Sequence, residues 1–196
     1  MAPSLRWTTA DLELLPDSLE DKRYEIIDGE LYVAEQPSFH HQFSSTQATH
    51  VLQEWNDRTG AGIAIGAPGL IFAADENVAP DAIWVSHDTL RHALRADGKL
   101  HAPPELVVEV LSPGEANERR DREAKLGLYS RQGVREYWLL DTRQRKVEVF
   151  RRHEAALRLE ATLFEGDDLQ SPLLPGFGCP VARLFLPVAD QRPDES

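Results

Sequence analysis

The sequence holds a single cysteine, Cys179, so it can close no internal disulfide. That fits a reducing compartment. No apolar run approaches the roughly 18 residues a membrane-crossing helix needs, and no apolar signal-like core stands near the start. The expected location is therefore the cytoplasm, with no membrane partner. Internal repeats, low-complexity tracts and long linkers are also missing. For 196 residues this predicts one domain over residues 1–186 and a disordered tail over 187–196. Basic residues are scarce: 21 Lys and Arg stand against 33 Asp and Glu, a net charge of −12. That excludes a broad non-specific grip on nucleic acid but leaves room for a local basic cleft. The densest basic patches, residues 118–122 and 143–146, read first as solvated surface. With 41% hydrophobic and 28% charged residues, the chain can bury a sizeable core.

Turn and cap signals divide the chain. Thr8-Thr9-Ala10-Asp11 opens a short helix that Pro16 stops. Residues 23–27 and 30–33 flank Asp28-Gly29, a strong hairpin signal. Ser38, after Pro37, caps a longer helix that runs to about Arg58 and ends before Gly60. Strands are expected at 63–66, 70–73 and 81–85, with a short helix and loop over 87–99. Residues 105–111 form a central strand, stopped by Ser112-Pro113-Gly114, and a helix follows from 116 to 132. Residues 134–141 and 146–151 make a hairpin, 157–164 another strand, and 181–186 a closing apolar segment that could serve an interface. Many strands with two substantial helices predict an α/β fold, bordering on α+β, with a mixed sheet.

Two acidic residues interrupt this pattern. Glu109 lies inside Leu106-Val107-Val108-Glu109-Val110-Leu111, and Asp81 heads Ala82-Ile83-Trp84-Val85. Near-continuous apolar strands are covered on both faces, and a carboxylate there is costly unless a cation or donor meets it. On a helical wheel at 100° per residue, Asp121, Ala124, Lys125, Leu128 and Gln132 share one face, which Ala124 and Leu128 mark as packed. Arg119, Arg120, Arg122 and Arg131 fall on the other side. Asp121 and Lys125, four residues apart, thus point inward, where a lysine needs an anionic partner.

Several segments together carry a family resemblance. They are Tyr24-Glu25-Ile26-Ile27-Asp28-Gly29-Glu30, Pro37-Ser38 with His41-Gln42, Pro80-Asp81, and Val107 to Pro113 with Glu109 at its centre. Asp121, Lys125, Tyr129, Gly133 to Trp138, Asp141 and Pro175-Gly176-Phe177 complete the set. The chain resembles the Uma-two family of restriction endonuclease-like proteins, within the PD-(D/E)xK nuclease superfamily, over roughly residues 7–186. The resemblance implies a mixed β-sheet flanked by helices, with an N-terminal β-hairpin. It implies that Asp81, Glu109 and the Val110 carbonyl hold Mg²⁺ or Mn²⁺, and that Lys125 completes the catalytic set. The superfamily pattern puts lysine two residues after the glutamate; here that position is Leu111, and the amine comes from the next helix. The resemblance also places Glu25 beside the metal.

The expected chemistry is hydrolysis of a phosphodiester in nucleic acid, DNA first. The metal would activate a water and neutralise charge on the scissile phosphate. Lys125 would assist that water or the transition state. Asp121 would orient Lys125, and His41 and Gln42 would offer a phosphate the start of a helix. Plainer readings stand beside these: Asp81 as a loop cap, Glu109 or Lys125 in a structural ion pair, Glu25 on a solvated hairpin. Tyr129, Tyr137, Trp138, Trp7, Trp55 and Trp84 read as core, and Cys179 as inert. The alternative function is a non-catalytic nuclease-fold binding or regulatory module, which the acidic balance favours. A third is hydrolysis of some other phosphoester. A homodimer is a further expectation, by analogy with nucleases that cut both strands.

Overall fold

The computed structural model describes residues 6–12, 14, 23–34, 36–112 and 114–187. Pro16 and the tail beyond 187 lie outside the described residues. In chain order the elements are α1 (Thr9–Leu12), β1 (Arg23–Ile27), β2 (Glu30–Ala34), α2 (Phe39–Thr59), β3 (Gly62–Gly66), β4 (Leu70–Ala73), β5 (Glu76–Val78), β6 (Ala82–Ser86), α3 (His87–Ala93) and β7 (Leu106–Val110). Then come α4 (Glu115–Arg119), a π-helical turn (Arg120–Lys125), α5 (Leu126–Gln132), β8 (Glu136–Asp141), β9 (Lys146–His153), β10 (Ala156–Phe164), β11 (Asp168–Leu169), β12 (Cys179–Pro180) and a 3₁₀ turn (Val181–Leu184).

Six strands form the main sheet in the order β10-β9-β8-β7-β6-β3. Only β7 and β8 run parallel, and the helical stretch from α4 to α5 is the crossover between them. Every residue of β7 and β8 is buried, which explains their near-continuous apolar sequence. A second sheet, β2-β1-β5-β4, lies beside the first. Its hairpin turns through Asp28 (φ 53°) and Gly29 (φ 75°), the positive-φ pair that a tight hairpin requires.

Alternation along β7 divides the core. Leu106, Val108 and Val110 face α2, where they meet Ala48, Val51, Leu52 and Trp55. Val107 faces the other way, toward Leu128, Tyr129 and Tyr137. With a period of two, Glu109 takes the second face, under α5. Helix α2 is stopped at both ends by the expected residues. Ser38 Oγ accepts the His41 N–H at 3.2 Å, and Gly60 closes the helix with φ 62°. Asn56 then welds α2 to the sheet: its Oδ1 accepts both the Gly62 N–H (2.9 Å) and the Trp84 indole N–H (3.2 Å).

The architecture is the expected mixed sheet flanked by helices, with corrections in detail. Strand β5 was not anticipated, and β3 and β4, on either side of Pro68-Gly69, belong to different sheets. The helix expected over 116–132 is interrupted by the π-helical turn. The closing apolar segment is no free interface: Val181, Leu184 and Phe185 are buried in the chain's own core. Trp7 is half-buried rather than core.

Candidate functional site

Four carboxylates converge where the two sheets meet. In the β6–β7 register Ala82 opposes Val108, so Asp81 and Glu109 come next to each other at the ladder's end. Asp81 Oδ2 accepts the Val110 N–H at 2.8 Å and lies 3.3 Å from His41 Nε2. Ser45 Oγ donates to the Asp81 carbonyl at 3.1 Å, tying the first turns of α2 to the same point. Glu25 arrives from β1, and its Oε1 accepts the Ala79 N–H at 3.0 Å.

The ammonium of Lys125 stands between these strands. It lies 2.9 Å from Glu109 Oε1, 3.1 Å from Glu25 Oε2 and 3.9 Å from Asp121 Oδ1. Tyr129 Oη donates to Glu109 Oε1 at 2.7 Å, and Tyr137 Oη to the Asp121 carbonyl at 3.1 Å. Arg120 Nε donates to Asp121 Oδ1 at 2.9 Å and stands 4.0 Å from Glu25 Oε2. Glu25, Asp81, Glu109, Asp121, Lys125 and Arg120 are all buried.

Burial dominates the electrostatics. It pushes the Glu109 carboxyl up to about 8; Lys125 opposes the rise, and the charges of Asp81, Glu25 and Asp121 add to it. In the metal-free protein burial therefore favours the protonated form of Glu109 even though an ammonium stands beside it. For Asp81 burial acts the same way but is outweighed. The His41 hydrogen bond, the charges of His41 and Lys125, and the Val110 N–H hold it below the usual carboxylate range. Burial alone would lower Lys125; Glu109, Glu25 and Asp121 reverse this and raise it. Desolvation first, then the neighbouring Glu109, keeps the Tyr129 phenol well above its ordinary value.

Six of the expected residues therefore meet: Asp81, Glu109, Lys125, Glu25, Asp121 and His41. Gln42 does not join them; its side chain is exposed, and its backbone N–H is taken by the Ser38 carbonyl. Two residues of the cluster were missed. Tyr129 was read as core alone, and its spacing of four from Lys125 was the available signal. Arg120, assigned to the solvent side, turns inward.

The sequence profile of Uma2, described as "Putative restriction endonuclease", matches residues 9–182. The chain belongs to the Uma2 family. The Uma2 assignment agrees with the fold. A crystal structure of "a putative nuclease belonging to DUF820" from Anabaena variabilis superposes with a TM-score of 0.70. The match is 16% identical in sequence and covers 91% of this chain and 97% of the other. No curated protein matches the chain.

Restriction endonuclease-like nucleases generally work with divalent metals. Among the described residues, no three His, Cys, Asp or Glu side chains form a ready-made metal cluster. The donor set nevertheless fits a hard divalent cation, which takes a few carboxylate oxygens and keeps several waters. The four buried carboxylates outnumber the buried side-chain cations among them, Lys125 and Arg120. Oδ2 of Asp121 is moreover buried without a hydrogen-bond partner.

Proposed function

We propose that this protein is a divalent-metal-dependent nuclease that hydrolyses phosphodiester bonds, with DNA as its substrate. The observation that carries the reading is the buried cluster of Asp81, Glu109, Glu25 and Asp121 around Lys125, a set of hard oxygen donors of the kind a divalent cation takes. The description of the Uma2 family, "Putative restriction endonuclease", supports DNA. Asp81 and Glu109 would hold Mg²⁺ or Mn²⁺, with the Val110 carbonyl as a third ligand. The metal supplies an activated water and charge neutralisation at the scissile phosphate.

The chain's own residues do the rest. The Val110 N–H and His41 hold the Asp81 carboxylate ionised and oriented. Tyr129 and Lys125 fix one oxygen of Glu109, leaving the second for a ligand. Lys125 stays cationic, so it acts as a charge and a hydrogen-bond donor rather than as a base. A second reading, a non-catalytic nuclease-fold module, is favoured by one observation: Lys125 already satisfies Glu25 and Glu109.

Calorimetry with Mn²⁺ and Mg²⁺, run beside cleavage of plasmid and single-stranded DNA, separates the two. Saturable metal binding and cleavage are expected for the wild type, and both should vanish in Asp81→Asn and Glu109→Gln. Metal binding indifferent to both substitutions, or none at all, would sink the nuclease reading.

A further inference from the structure

Of the two buried cations, one has donors to spare. The Lys125 ammonium is engaged by Glu25 and Glu109 at about the ideal distance and has Asp121 in reach as well. Arg120 differs. Its side chain is only 6% exposed, and its Nε is held by Asp121 Oδ1. A guanidinium carries five N–H donors, and Nε uses one. Nη1 and Nη2 make no hydrogen bond with any described residue. Nor are they sealed from solvent, unlike the orphaned Oδ2 of Asp121.

A fixed, half-paired guanidinium within a buried acidic cluster is unusual, because the cheaper place for an arginine is the surface. The π-helical turn is what brings it there. In α geometry, residues 120 and 125 lie 140° apart at 100° per residue. In a π turn, with its i→i+5 bonding, residues five apart come to one face. The wider turn therefore sets Arg120 beside Lys125, and π turns concentrate at functional sites. The fork that remains free matches two oxygens of a phosphate and holds them with a directionality no ammonium offers.

We propose that Arg120 is the phosphate-binding residue of this site, its free Nη fork clamping a phosphodiester of the polynucleotide beside Lys125. The inference rests on the nuclease reading. It assigns Arg120 to hold the substrate while Lys125 remains with the carboxylates.

The test uses the full-length chain with Arg120→Lys, which keeps the charge and loses the fork, and Arg120→Gln, which loses both. Binding of a short fluorescein-labelled DNA strand and duplex is followed by anisotropy in Ca²⁺, and Mn²⁺ binding by calorimetry on the same samples. Mn²⁺ affinity is expected not to fall in either variant, since no ligand is removed, while DNA affinity falls about tenfold in Arg120→Lys and further in Arg120→Gln. The slope of log affinity against log salt should drop by about one in Arg120→Gln, as for one lost phosphate contact. The proposal fails if both variants bind DNA as tightly as wild type. It fails equally if Mn²⁺ and DNA affinity fall together, which would mark Arg120 as a support for Asp121. Failure of the nuclease reading looks different, since the wild type itself would then bind neither Mn²⁺ nor DNA.

Discussion

At the scale of single residues, Glu109 decides the charge state of the site. Its carboxyl, pushed up to about 8 chiefly by burial, stands well above the roughly 4.3 of an unfolded chain. Between those values the folded protein keeps a proton that the unfolded chain has released. Stability must then fall as pH rises through the window. Asp81, held below the usual range, acts in the opposite sense, but only in more acidic solution. Glu136, raised by burial against the Trp138, Arg151 and Ser171 contacts, acts in the same sense as Glu109. The thermal midpoint of the metal-free protein is therefore expected to drop from about pH 5 to about pH 8. In Glu109→Gln the slope should be shallower but not flat. A midpoint in chelator that rises across this range would contradict the assignment.

At the scale of elements, the site depends on how α2 is pinned to the sheet. Ser45 and His41, in its first turns, meet Asp81, while Asn56, near its end, joins β3 and β6. Removing the Asn56 amide would leave two buried donors, the Gly62 N–H and the Trp84 indole, without an acceptor. Each such loss costs about 1–3 kcal/mol, so Asn56→Ala should lower unfolding free energy by about 3 kcal/mol in urea titration. A loss under about 1 kcal/mol would show that water replaces the amide freely.

For the whole molecule, net charge governs encounter with substrate. A chain carrying −12 repels a polyanion, and of its local cations Lys125 is spent on carboxylates while Arg120 is held through Nε alone. DNA binding should therefore be undetectable in chelator and appear on adding Mn²⁺ or Ca²⁺. Its salt slope should be shallow, equivalent to about two or three phosphate contacts. Tight binding in chelator, measured by the same anisotropy assay, would place the main contact surface away from the carboxylates.

Much of this was legible along the chain because it rests on local signals. Caps at Ser38 and Gly60, the Asp28-Gly29 turn and the period of two in β7 need only a few neighbouring residues to act. A glutamate inside an apolar strand announces its own need for a partner, which is how Asp81, Glu109 and, through the packed helix face, Lys125 could be singled out. Arg120 and Tyr129 could not be placed in the same way. Whether residues 120–125 wind as α or π is set by what the turn packs against, including the Asp121 carbonyl held by Tyr137 from β8. The second sheet, which brings Glu25 to Lys125, likewise depends on β5, three residues with no pattern of their own. The sequence by itself determined the strands, the capped helix and the carboxylates that need a cation. Only the tertiary structure decided which arginine stands among them, because that choice is made by contacts between residues far apart in the chain.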